Sequence, residues 1–140
     1  MTYTLEKLEQ MMRENGGNLY LLFSDVTSLP DGLTVGGTLD LGGTKITSLP
    51  DNLTVGGSLW LSGTQITSLP DNLTVGGGLY LNYTPITTLP SSLTVGDRID
   101  LRYTSITSLP LRTSVSFALQ PVSKPILSTW LVRLNATKTV

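Results

Sequence analysis

The chain repeats itself every 20 residues: TLDLGGTKITSLPDNLTVGG, SLWLSGTQITSLPDNLTVGG and GLYLNYTPITTLPSSLTVGD follow one another from Thr38 to Asp97, with looser copies on either side. A fixed short period means that each unit is one coil, and a coil cannot bury its own apolar side without a neighbour stacked on it. The expected architecture is therefore a repeat solenoid. It needs special ends, because the first and last coils each leave an apolar face open.

The copies supply an internal alignment that separates framework from variation. Leu19, Leu39, Leu59, Leu79 and Ile99 form one column, and Leu21, Leu41, Leu61, Leu81 and Leu101 form the next, two residues on. Val26, Ile46, Ile66, Ile86 and Ile106 follow, then Leu29, Leu49, Leu69, Leu89 and Leu109, each before a proline. Leu33, Leu53, Leu73 and Leu93, with Val35, Val55, Val75 and Val95, complete the buried set.

Each coil is expected to open with a short strand such as Leu59-Trp60-Leu61, leucines inward and the middle residue outward, since alternate side chains of a strand face opposite ways. The glycine pair before it predicts a tight turn at positive φ and close approach of successive coils. Beyond the strand, Thr44, Thr64, Thr84 and Thr104, with Ser24 in the first copy, place a hydroxyl where backbone groups leave the ladder and need partners. The SLPDNL stretch predicts an extended, turn-rich return path, with proline disfavouring helix. Asp31, Asp51 and Asp71 beside Pro read as turn residues.

The pattern Leu-x-Leu-x-x-Thr-x-Ile-x-x-Leu-Pro-x-x-Leu resembles a leucine-rich repeat of the short bacterial class, and the uniform DNLTVGG arrays are similar to repeat proteins of bacteria and their phages. The resemblance covers roughly residues 16–115. It implies a curved solenoid with a short-stranded parallel β-sheet on its concave face, used for protein recognition. Two columns depart from that pattern: Thr stands where the family usually has Asn, and Gly36, Gly56, Gly76 and Gly96 stand where its first Leu would be. Some bacterial effectors with similar arrays carry a ubiquitin-ligase domain with a catalytic Cys, and this chain has no Cys.

Both ends are expected to be helical caps. Over residues 1–15, Leu5, Leu8, Met11 and Met12 share one helical face, Thr4 suits the N-cap, and Gly16 and Gly17 end the helix. After Pro110 the pattern decays: Val115 and Leu119 keep the register, Pro121 ends it, and Ile126, Leu127, Trp130, Leu131 and Leu134 predict a helix within a degenerate cap over residues 116–140. A membrane-surface role for that segment is the alternative, because Arg133 and Lys138 flank its apolar face.

Composition removes most chemistry. With neither Cys nor His, the chain has no disulfide, no thiolate nucleophile, no Cys/His metal site and no imidazole base. No Gly-rich phosphate loop opens a helix. The expectation is a non-enzymatic protein without cofactor or metal. The amino terminus lacks a basic start followed by an apolar run, and no stretch is long and apolar enough to span a membrane, which predicts a cytoplasmic location. Net charge is only -1, but all ten acids lie at or before Asp100, while Arg102, Arg112, Lys124, Arg133 and Lys138 follow it.

Candidate functional residues come from the columns that change between copies. The outward strand position reads Tyr20, Asp40, Trp60, Tyr80, Asp100, and the position before the strand ends in Arg98. The columns after it give Leu22, Gly42, Ser62, Asn82, Arg102 and Phe23, Gly43, Gly63, Tyr83, Tyr103. Aromatics and Arg are the residues that most often anchor protein interfaces. The predicted partner-binding surface is therefore Tyr20, Trp60, Tyr80, Tyr83 and Tyr103, ringed by Asp40, Arg98, Asp100 and Arg102, engaging a protein partner as an inhibitor or effector. The column Asp25, Lys45, Gln65, Pro85, Ser105 has no chemical theme and reads as solvated surface. Two other readings stand beside this one. An ice-binding type of Thr row is weighed because Thr47, Thr67, Thr87 and Thr107 recur near Thr44, although the pair does not share a strand face. Nucleic-acid binding through the basic tail and tyrosines is the other, with Asp40 and Asp100 opposing phosphate.

Overall fold

In a computed structural model, residues 1–110 and the strand at Ser114–Val115 are described; the predicted carboxy-terminal helix and cap lie outside the described residues. Over the described residues the chain winds as a parallel β-solenoid with one short helix, α1 (Leu5–Glu14). The strands that open the coils are β1 (Leu19–Tyr20), β3 (Leu39–Asp40), β5 (Leu59–Trp60), β7 (Leu79–Tyr80) and β9 (Ile99–Asp100), and they form one sheet in that order. Each pairs in parallel with the copy one period on, so Leu39 lies beside Leu59 and Trp60 beside Tyr80.

A second parallel sheet runs along the return path, which the sequence predicted only as extended and turn-rich. Its strands are β2 (Thr34–Val35), β4 (Thr54–Val55), β6 (Thr74–Val75), β8 (Thr94–Val95) and β10 (Ser114–Val115). Thr and Val are β-branched and suit a pleated, half-buried surface. In the first four of these strands the valine is buried and the threonine exposed. Val115 pairs with Val95 as the alignment requires. The buried columns of both sheets form one continuous core running through the coils.

The corner between the two sheets corrects the expectation about glycine. The pair before β1, Gly16 and Gly17, does take positive φ (62° and 89°), but none of Gly36, Gly37, Gly56, Gly57, Gly76, Gly77 and Gly96 does; the other left-handed positions are Gly32, Asn52 and Asn72 in the turn after proline, and a second column after the strand. The corner glycines serve close approach instead. A Cβ on Gly56, Gly76 or Gly96 would fall against the carbonyl oxygen of the glycine one coil before, far inside van der Waals contact. The same corner carries a further ladder, Gly57 N–H to Gly37 O and Gly77 N–H to Gly57 O, both at 2.9 Å. Where Asp97 replaces the second glycine, the equivalent bond to Gly77 O lengthens to 3.2 Å.

The threonine column behaves as its chemistry predicts. Thr44, Thr64 and Thr84 are buried, and each Oγ1 donates to the carbonyl three residues back, Leu41, Leu61 or Leu81, at 2.7 Å. Thr104 makes the same bond at 2.8 Å. These carbonyls sit where the first sheet's ladder ends. Ser24 breaks the rule: its N–H reaches Leu21 O at 3.0 Å, but its buried Oγ has no partner among the described residues. Serine lacks the methyl that restricts the χ1 of threonine, so nothing fixes its hydroxyl on that carbonyl. Ser24→Thr is expected to stabilise the protein by about 1 kcal/mol through one recovered hydrogen bond, read as a higher urea midpoint at unchanged slope.

Helix α1 starts at Thr4, whose side chain accepts from Lys7 N–H, and it buries Leu8 and Met12 in the same core cluster, with Leu5 and Met11 partly buried against it. The helix packs on β1. The residues before it were not expected to pair, yet Thr2 bridges Ser28 in parallel and Thr27 N–H donates to Met1 O at 3.0 Å. No helix among the described residues is long and apolar enough to cross a membrane.

Candidate functional site

Parallel in-register pairing turns a column of the alignment into a physical row, so Tyr20, Asp40, Trp60, Tyr80 and Asp100 stand side by side on the outward face of the first sheet. At a strand spacing of about 4.8 Å the row extends roughly 20 Å. Trp60 and Tyr80 stack face to face, with centroids 3.8 Å apart and planes 10° apart. The pair has a seat in the backbone: a Cβ at Gly78 would meet the Tyr80 ring at 3.0–3.2 Å, so the ring lies over a position that has no side chain. Trp60 keeps 39% of its surface exposed and Tyr20 keeps 56%.

Three residues beyond each outward residue the backbone enters the left-handed region, with φ of 55° at Phe23, 64° at Gly43, 71° at Gly63, 60° at Tyr83 and 56° at Tyr103. Glycine occupies this region freely, whereas any residue with a Cβ is strained there. Tyr83 and Tyr103 stack with centroids 4.6 Å apart and planes 9° apart. The Phe23 ring leans into the space that a side chain at Gly43 would fill. Over Gly63 the surface is open.

Charge is set into the same face. The Arg102 guanidinium grips Asp100, with Nη2 2.6 Å from Oδ2 and Nε 2.9 and 3.1 Å from the two oxygens. The Arg102 main-chain N–H adds a bond to Oδ1 at 3.1 Å. Partial burial works against ionisation of Asp100, but the Arg102 hydrogen bonds and charge outweigh it and hold the carboxyl below its ordinary range. The bond to Asp100 in turn raises the guanidinium above its own range. Arg98 lies at the edge, 3.6 Å from Asp97 in an exposed pair. Such surface pairs contribute little.

Of the nine sequence-predicted site residues, Tyr20, Asp40, Trp60, Tyr80 and Asp100 stand in one row, and Arg102 is joined to it through Asp100. Tyr83 and Tyr103 stack on each other just beyond the strands, and Arg98 pairs with Asp97 at the edge. The structure adds Leu22 and Phe23, which are 50% and 78% exposed. Their signal lay in the alignment, since they share columns with Arg102 and Tyr103. The column read as solvated surface is exposed at Asp25 and Lys45, which form a pair at 3.5 Å. The threonines weighed as a row divide: Thr44, Thr64 and Thr84 are buried, while Thr47, Thr67, Thr87 and Thr107 are exposed. Among the described residues, no group of three or more acidic, His or Cys side chains is placed to hold a metal. The basic tail beyond Pro110 lies outside the described residues.

No protein-family model, curated protein or solved structure matches this chain. The face itself is what speaks for function.

Proposed function

We propose that the chain is a non-enzymatic interaction module that holds one protein partner against the outward face of its first sheet, acting as an inhibitor or effector of that partner. The observation that carries this is the left-handed backbone at Phe23, Tyr83 and Tyr103. An L-residue in that conformation is disfavoured by roughly 1–2 kcal/mol. Two copies of the same column use glycine and escape the strain, so folding alone would favour glycine in all five. Instead the strained positions carry large rings that are 78%, 62% and 66% exposed. Their mutual stacking returns only about 0.5–1.5 kcal/mol for the tyrosine pair, and among the described residues Phe23 has no such partner. Strain held at exposed positions concentrates where function needs it.

The resemblance to leucine-rich repeats supports the same reading, since such scaffolds recognise proteins through a parallel sheet. The experiment is capture of partners from lysate of the source cell, followed by affinity measurement on the captured protein. Trp60→Ala/Tyr80→Ala is expected to weaken binding by at least about 2 kcal/mol, roughly thirtyfold, with an unchanged circular dichroism spectrum. Lys45→Ala and Gln65→Ala, on the neighbouring exposed column, are expected to change affinity by less than about twofold. Full affinity in the double variant would move the binding site off this sheet.

A further inference from the structure

Asp40 and Asp100 occupy the same row, and their carboxylates are held alike at one oxygen and differently at the other. In both, Oδ1 accepts the main-chain N–H two residues on, from Gly42 at 3.0 Å and from Arg102 at 3.1 Å. At Asp100 the guanidinium of Arg102 takes up the remaining acceptor capacity. At Asp40 the residue in Arg102's place is Gly42, and among the described residues no cation is paired with that carboxylate. The protein thus displays a filled and an unfilled version of one motif.

The unfilled version is also the one with aromatic neighbours on both sides. Asp40 stands between Tyr20 on β1 and Trp60 on β5. Trp60 covers one face with Tyr80 at 3.8 Å, so its opposite face looks back along the stack toward β3. Leu22, half exposed, packs over Gly42 and gives the notch an apolar wall.

From this arrangement we infer that the notch over Asp40 seats an arginine side chain of the protein partner, a reading that rests on the interaction function proposed above. A planar guanidinium donates two parallel N–H bonds to a carboxylate, as Arg102 does to Asp100. Seated on Asp40 it lies in the row between Tyr20 and Trp60, whose ring faces attract a cation. Leu22 offers apolar surface to its methylene stem. Lysine fits less well, because its point charge lacks the fork and the plane.

The test uses the full chain, labelled with nitrogen-15, and two tripeptides, Gly-Arg-Gly and the neutral isostere Gly-citrulline-Gly. The arginine peptide is expected to shift the Gly42 amide and the Trp60 indole signals saturably in the millimolar range, and the citrulline peptide to leave them in place. Asp40→Asn keeps an oxygen for the Gly42 N–H, so the fold stands, and it should weaken the arginine peptide about tenfold or more. Asp71→Asn, on an exposed turn, should not. Equal shifts with citrulline, or an Asp40→Asn protein that binds the arginine peptide as well as wild type, would overturn the arginine seat. With the captured partner, loss on Trp60→Ala/Tyr80→Ala but full binding by Asp40→Asn would remove this inference and leave the interaction face standing. Indifference to both variants would remove both.

Discussion

Gly76→Ala is expected to destabilise the protein by about 3 kcal/mol or more, a large effect for one added methyl group. The residue is at the corner between the two sheets in the middle of the array, and its φ is not in the left-handed region. Alanine's conformational preferences therefore do not explain the loss, and in the unfolded chain alanine is the less costly residue to order. The loss comes from stacking. The added Cβ would fall against the Gly56 carbonyl oxygen, which is backbone and is fixed by its coil. Gly76 N–H donates to Val55 O at 2.8 Å, and Gly77 N–H to Gly57 O at 2.9 Å, so relieving the clash means stretching the ladder on both sides of the corner. Gly32→Ala, by contrast, meets nothing within 4 Å and carries only the penalty of its φ of 76°. Urea unfolding of the two variants separates steric stacking from backbone strain: a Gly76→Ala midpoint equal to that of wild type would mean that the coils are not in contact at this corner.

Leu61→Ala should remove about 2–5 kcal/mol, the range for emptying a fully enclosed leucine site. Leu61 is completely buried in the central coil. Its neighbours in the column, Leu41 and Leu81, are held by their own ladder bonds, Leu41 N–H to Trp60 O at 2.9 Å and Leu81 N–H to Asp100 O at 3.0 Å, so they cannot collapse into the space. Because every coil leans on the next, the loss should appear as one cooperative shift of the whole transition rather than as a separate early phase. Deleting residues 58–77 as a unit joins a coil to an equivalent coil and should leave a shorter folded solenoid. A deletion that unfolds the chain, beside a silent Leu61→Ala, would contradict stacking as the source of stability.

The candidate site was legible in the sequence where register alone decides position. A period of 20 places Tyr20, Asp40, Trp60, Tyr80 and Asp100 in one row once the coils stack in register, which the repeat demands. The same argument extends to Phe23 and Leu22, which share columns with Tyr103 and Arg102. The residue that makes Asp40 differ from Asp100 is also readable, since Gly42 and Arg102 are aligned. What could not be read is how side chains on adjacent coils meet. That Trp60 lies flat on Tyr80, that Gly78 makes room for the Tyr80 ring, and that Phe23 leans over Gly43 all depend on χ angles, which periodicity does not carry.

The sequence by itself determined the solenoid, the buried columns, the amino-terminal helix with its Thr4 cap, and the threonine hydroxyls at the end of the ladder. Each is a consequence of local chemistry repeated at a fixed spacing. Only the tertiary structure decided that the Thr-Val pairs form a second sheet, because two residues are too short to declare themselves as a strand until a copy lies about 4.8 Å away on each side. It also decided what the glycines do. A glycine pair before a strand looks like a turn at positive φ; Gly16 and Gly17 before β1 take it, but in the later copies the pair does not, and the conformation is found at Gly32, Asn52, Asn72 and the Phe23, Gly43, Gly63, Tyr83, Tyr103 column. The corner glycines are required by the backbone of the coil before them, a neighbour 20 residues away that exists only when the chain is folded.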